Sequence, residues 1–300
     1  MKRVLIREDD VSYFTPPEVL ERLYGRLLRR SVPVDLGVIP RVSCSARLAF
    51  GVANPYYDGR LKYEPFIPPQ FRGLPRTFEV GENRALVEYL RANPLLAVTQ
   101  HGVAHDQEDL AFLSGARPDV FRQALLEGKA VLRGAFDQTP LFFTPPWGRL
   151  SPKAMEVLRG EFLGVSTIFT RRRFLPLPLW GRYLVQGLRH RGLLRWEGCL
   201  VVTHPFDLLR FRFPDPDDLV RQVARALEEW DLLVINNHHW EFLIDWSGWD
   251  EARLRGWDAV VDHLLRQTDL QFETFRSLEA ATRSNGAVGP DQMPARMEHR

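Results

Sequence analysis

Short apolar runs alternate with amphipathic stretches along most of this chain. Val4-Leu5-Ile6 is continuous and apolar, as a strand buried on both faces requires. Thr15-Pro16-Pro17-Glu18 predicts a helix start, with Thr15 as cap and Glu18 closing a capping box. Val19, Leu20, Leu23, Leu27 and Leu28 give that helix one apolar face. A second strand-like segment covers 32–40. Residues 81–93 read as a helix that Pro94 stops, and Leu95-Leu96-Ala97-Val98-Thr99 follows as a strand. The rhythm continues with a helix over 118–132 and a strand over 141–144 ending in the rigid Pro145-Pro146-Trp147-Gly148. A helix from Ser151-Pro152, strands over 164–169 and 200–204, and a helix over 217–230 come next. A strand from Leu232, a helix over 250–267 and a strand over 270–275 close the pattern.

Two stretches interrupt it. Residues 41–80 are rich in proline, aromatics and turn residues, such as Asn54-Pro55-Tyr56-Tyr57-Asp58-Gly59, and read as a long inserted loop or lid, whose aromatics either tie it down, the preferred reading, or stack on a flat apolar ligand or a sugar face. Residues 171–196 are basic and aromatic with little period, and the stretch 282–300 reads as a flexible tail. One domain over 1–281 is expected, since 300 residues at 45% hydrophobic composition suffice for a single large core.

Strands alternating with helices, without an internal repeat, predict a parallel α/β fold, either a barrel or an open sheet. Several strands end in polar groups: Asp9 and Asp10, His101, Thr144, His204 and His238. Strand C-termini gather at one end of such folds, so these groups would converge on one pocket, which favours a barrel with a single active face.

A net charge of +2 gives no reason to expect nucleic acid as a partner. No apolar run approaches a membrane span, and the apolar part of the N-terminus is too short for a signal-peptide core. Cys44 and Cys199 are the only cysteines and lie far apart, so a reducing cytoplasm is the expected location.

The strongest chemical signal is His101-Gly102-Val103-Ala104-His105, at the end of a strand. Two imidazoles at this spacing share one face of a helical turn and suit a divalent metal. With a strand-end carboxylate they leave positions open for water and substrate, as catalytic zinc sites do. A second carboxylate can take the water's proton, and a histidine across the pocket can protonate the leaving group. Asp9, Asp10, His101, His105 and His238 can fill all these roles.

In order and spacing these residues resemble the polysaccharide deacetylase, or NodB-homology, superfamily of carbohydrate esterases. Arg7-Glu8-Asp9-Asp10-Val11 resembles its first motif and His101–His105 its second. Thr144-Pro145-Pro146-Trp147-Gly148 resembles its third, and Val234-Ile235-Asn236-Asn237-His238 its last. The resemblance covers about residues 3 to 280 and is that of a divergent branch. It implies a distorted parallel (β/α) barrel of NodB-homology type and metal-dependent removal of an N-acetyl group from a sugar. Asp9 would be the general base, and Asp10, His101 and His105 would hold one divalent ion, zinc before cobalt, nickel or iron. Thr144, Pro146 and Trp147 would line the substrate wall. His238 ranks first as general acid, with His204 and then His239 behind it, the unused two lining the substrate site. The substrate would be an N-acetylated sugar or glycan precursor in cell-surface glycan assembly. A phosphate-linked form, or an anionic membrane surface, would suit the basic run of Arg171, Arg172, Arg173, Arg182, Arg189, Arg191 and Arg195, although a solvated face is the commoner use of such residues. The family's third-motif arginine is Thr144 here, and Arg7 or Arg149 is the candidate replacement. That loss admits a catalytically inactive glycan-binding barrel as an alternative. A metal-dependent amidohydrolase acting on a non-sugar amide is another.

Overall fold

The structure is a computed structural model that describes residues 2–47, 62–168, 177, 180–189, 191–204 and 215–284. The apolar runs form one curled sheet of strands β1 (Lys2–Val11), β2 (Val34–Val38), β3 (Leu96–His101), β4 (Phe142–Thr144), β5 (Gly164–Ile168), β6 (Leu193–Trp196), β7 (Cys199–His204), β8 (Leu232–His238) and β9 (Leu270–Glu273). Their order is β8-β1-β2-β3-β4-β5-β7-β6, and every pair is parallel except β6–β7. β1 pairs along one edge with β8 from Arg3 to Asp9. On its other edge Lys2–Leu5 pair with β9, and Arg7–Val11 pair with β2. At the far ends of the sheet the Gly192 N–H donates to Asp231 Oδ1 at 2.9 Å, so the sheet curls most of the way to a barrel. This is the expected distorted parallel (β/α) barrel.

Helices cover the outside: α1 (Pro17–Leu28), α2 (Arg84–Ala92), α3 (Gln107–Leu113), α4 (Pro118–Phe136), α5 (Pro152–Glu161), α6 (Trp180–Leu188), α7 (Pro216–Glu229), α8 (Glu251–Arg266) and α9 (Phe275–Ser284). Strand alternation divides the core. Val4 and Ile6 pack outward with Leu20 and Leu23 of α1, Val223 of α7 and Trp257 of α8. Leu5 packs instead with Phe142, Val202, Val234, Phe275 and Leu278. The Trp257 indole, fully buried, donates to the Leu23 carbonyl at 2.8 Å and pins α8 to α1.

Several local expectations change. α1 begins after Pro16 without a side-chain cap, because the Thr15 hydroxyl accepts the Ser12 N–H at 2.9 Å instead. α4 runs a turn beyond the predicted end, to a left-handed Asp137. The basic segment contains α6 and an unforeseen hairpin. Leu194 and Trp196 of β6 are buried at period two, and the turn to β7 is Glu197-Gly198, both with positive φ. Residues 171–176 and the side chains of Arg182 and His204 lie outside the described residues. At the C-terminus α9 extends to Ser284, past the expected start of the tail, and 285–300 lie outside the described residues.

Within the inserted loop Arg41–Ser43 pairs antiparallel with Thr77–Glu79. Phe66, Ile67 and Phe78 bury with Phe14, Val42, Cys44 and Trp240, so these loop aromatics anchor the segment over one mouth of the barrel. Asn54–Gly59 lie outside the described residues. Among the described residues no helix is long and apolar enough to cross a membrane.

Candidate active site

Successive residues of a regular strand face opposite sides, so Asp9 and Asp10 would ordinarily part company. Here the β1–β2 register shifts between Glu8 and Val11, and Asp10 adopts φ 63°, a left-handed value that is strained for a side-chain-bearing residue. The bulge brings both carboxylates to one pocket. Gly37 on β2 makes the room, since a Cβ there would come within 2.4 Å of Asp9 Oδ1.

Asp10, His101 and His105 meet in that pocket. Asp10 Oδ1 lies 3.1 Å from His101 Nε2 and 3.3 Å from His105 Nε2. Nitrogen and oxygen donors about 2 Å from one tetrahedral ion are spaced by roughly 3.3 Å, so the donor atoms fit a single zinc-sized cation. All three residues are 3–5% exposed. Neighbours orient two of the three side chains. His101 Nδ1 donates to the Thr144 carbonyl at 2.8 Å, leaving Nε2 for the pocket, and the Trp240 indole donates to Asp10 Oδ2 at 2.9 Å. The mutual charges leave marks. Burial alone would raise the Asp10 pKa, but the histidines, His105 foremost, pull it well below the carboxylate range. Burial pushes His105 down to about 4, against the pull of Asp10, so its imidazole is neutral as a metal ligand must be.

The histidine pair does not ride on a helical turn, as the spacing had suggested. His101 ends β3, and Gly102 and His105 both take left-handed backbone at φ 66° and 52°. The buried Asp109 carboxylate shapes this loop by accepting the Val103, Ala104 and His105 N–H groups through Oδ2 at 2.7–3.0 Å. Asp109 sits in α3, a helix of seven residues. The sequence signal for it was the Asp106-x-x-Asp109 pair, which also reads as ordinary helix capping.

Asp9 is held from one side only. Arg7, two residues earlier on the same strand face, donates from Nη2 to Asp9 Oδ2 at 2.8 Å. Its Nε donates to Asn236 Oδ1 on the adjacent β8 and its Nη1 to Ser166 Oγ on the distant β5, so two strands besides its own fix the guanidinium. Asp9 Oδ1 is buried without a hydrogen-bond partner. Of the two candidate replacements for the missing third-motif arginine, Arg7 is the one paired with Asp9. His238 is Asp9's neighbour on β8. Burial opposes its charge, but Glu241, with Oε1 3.3 Å from Nδ1, and then Asp10 and Asp9 push its pKa up to about 10.

The remaining expected residues fall in different places. Thr144 is 1% exposed and supports His101 through both its carbonyl and its hydroxyl. Pro146 packs against the Gly102 turn. Trp147, at φ 54°, lies over the His105 ring with centroids 4.4 Å apart. His204 ends β7, and its side chain is outside the described residues. His239 is fully buried on the other side of β1. Its Nδ1 donates to Glu8 Oε1 at 2.9 Å and its Nε2 meets Thr15 Oγ1 at 3.2 Å, so in this structure it fastens Glu8 and has no open face for a substrate. Sequence reading missed Asp109, Trp240 and Glu241. It also missed Glu64, a buried carboxylate from the inserted loop that accepts the Trp147 indole N–H at 3.0 Å.

No protein-family model and no curated protein matches the sequence. Solved structures do match its fold. A "probable polysaccharide deacetylase" from Pseudomonas aeruginosa PAO1 aligns at TM-score 0.60 and 12% identity, over 95% of this chain and 91% of that one. A protein assigned as a polysaccharide deacetylase from Mycobacterium smegmatis aligns at TM-score 0.55 and 14% identity, over 94% and 90%. Puue allantoinase aligns at TM-score 0.55 and 12% identity, over 95% and 91%. At these identities the likeness is one of fold, and the fold is that of the polysaccharide deacetylases.

Proposed function

We propose that this chain is a divergent member of the polysaccharide deacetylase superfamily, a metal-dependent amide hydrolase that removes an N-acetyl group from a sugar or glycan precursor. The observation that carries the reading is Asp9 Oδ1, a buried carboxylate oxygen without a partner beside a one-carboxylate, two-imidazole donor set. An orphaned buried acceptor is costly and is kept where it has a task.

In this reading Asp10, His101 and His105 hold one divalent ion, zinc first by ligand type. When bound, such an ion polarises the amide carbonyl and lowers the pKa of water toward about 7. Asp9 takes the proton of the attacking water on Oδ1, while Arg7 holds Oδ2 and so fixes the direction of the free oxygen. His238, kept charged by Glu241, gives a proton to the leaving amine nitrogen. Trp147 forms a wall beside His105 against which a sugar face can stack. Cys44 and Cys199 are buried and unpaired, in keeping with a reducing cytoplasm.

A second reading, an amide hydrolase acting on a small non-sugar substrate, draws on the closure of the site, where Asp9 and Asp10 are only 4% and 5% exposed. The neighbouring fold of an allantoinase fits it too. One experiment addresses both. The metal-free protein is loaded with zinc and offered N-acetylated sugars, with and without linked phosphate, and small amides. Acetate release from the sugars that needs zinc supports the deacetylase. Turnover of small amides alone supports the second reading, and a protein that binds zinc but turns over nothing sinks both. Asp9→Asn should keep the metal and lose ~10²–10⁴-fold in kcat, and His101→Ala should lose both.

A further inference from the structure

Glu64 lies in the loop inserted between β2 and β3, outside every motif that gave the chain its resemblance. It is 3% exposed and sits among buried apolar neighbours, Phe66 and Ile67. Burying a carboxylate in such surroundings is costly unless it meets charged or donor groups. Its Oε1 accepts the Trp147 indole N–H at 3.0 Å and lies 3.9 Å from His105 Nδ1. That nitrogen is itself buried without a hydrogen-bond partner.

The two imidazoles of the donor set are supported unequally. His101 has its Nδ1 proton fixed by the Thr144 carbonyl. His105 points Nε2 at Asp10 Oδ1, so a neutral His105 acting as ligand through Nε2 must carry its proton on Nδ1. The acceptor facing that proton is Glu64. Closing the gap from 3.9 Å to hydrogen-bond length takes a shift of about 1 Å.

We propose that Glu64 is the positioning partner of His105, taking its Nδ1 proton in a hydrogen bond that selects the ligating tautomer and ties the inserted loop to the metal site. This rests on the metal-dependent reading above. The inserted loop is then part of the metal centre's support, and metal binding and docking of the loop reinforce one another.

The test is a zinc titration of the full chain against a chromophoric chelator, for the wild type, Glu64→Ala and Glu64→Gln. It is paired with nitrogen-edited NMR of the histidine rings in the zinc-loaded wild type. Glu64→Ala should bind zinc ~10–100-fold more weakly. Glu64→Gln keeps an acceptor oxygen and most of the volume, so it should fold and recover part of that loss. The wild type should show a protected His105 Nδ1 proton that Glu64→Gln shifts and Glu64→Ala exposes to exchange. The inference is overturned if folded Glu64→Ala binds zinc like the wild type, if glutamine rescues nothing, or if His105 carries its proton on Nε2. The wild-type NMR decides even where Glu64→Ala does not fold. If the wild type binds no zinc, the metal reading fails and this inference falls with it. If the wild type binds zinc and Glu64→Ala is unaffected, only the inference falls.

Discussion

β1 carries a buried polar cluster on each face, and the two are built differently. On the outer face Glu8 is fully buried and saturated: Tyr24 donates to one oxygen, and the His239 N–H and ring donate to the other. On the inner face Asp9 Oδ1 and His105 Nδ1 are equally buried and have no partner. Both clusters contain carboxylates and histidines, and composition alone would not separate them. The difference is satisfaction. A carboxylate with both oxygens filled fastens the fold, while open valences beside a converging donor set are what a metal, a water and a substrate can complete.

The largest effect is expected from Glu8→Ala. It leaves the Tyr24 hydroxyl and two His239 donors buried without an acceptor, and the cost should be about 3–5 kcal/mol in urea unfolding. Zinc affinity of the folded fraction should hold. A loss below ~1 kcal/mol would mean the outer cluster is not a fastener. On the inner face Arg7→Lys keeps the charge and loses the fork that aims Asp9. A drop of ~10²-fold in kcat with steady zinc affinity is expected. If zinc affinity falls instead, Arg7 serves the ligands rather than the base.

An effect confined to the slope of the pH profile belongs to Asp35, opposite Arg7 on β2. Burial raises its pKa to about 7, against the Phe275 N–H and then Arg7. The folded state therefore holds this proton more tightly than the unfolded chain. Stability from this group is complete below the unfolded pKa of 3.8 and declines as pH rises toward about 7. Asp35→Asn should flatten the stability profile across that window by about 1 kcal/mol per pH unit. An unchanged slope would show that Asp35 does not titrate there.

Much of the barrel was legible in the sequence because several buried strands open on a short continuous apolar run. Val4-Leu5-Ile6 and Leu232–Ile235 are of this kind. β6 and α3 escaped notice because four and seven residues are too few for a period to stand out. The site candidates were legible because Asp9, Asp10 and His101 sit at strand ends, where a parallel fold collects them. Their supports were not. Glu64, Asp109, Trp240 and Glu241 are spread through loops and helix starts, where acidic and aromatic residues are common for other reasons.

From sequence alone, then, came the alternation of strand and helix, the end of the sheet where polar groups gather, and the chemical types available there. The tertiary structure decided which face each adjacent residue takes. A bulge at Asp10 puts Asp9 and Asp10 on one side, and the Glu8 anchor holds His239 behind β1 while His238 stands beside Asp9. A residue's type is local, but its direction depends on backbone register and on partners two hundred residues away, which no local pattern records.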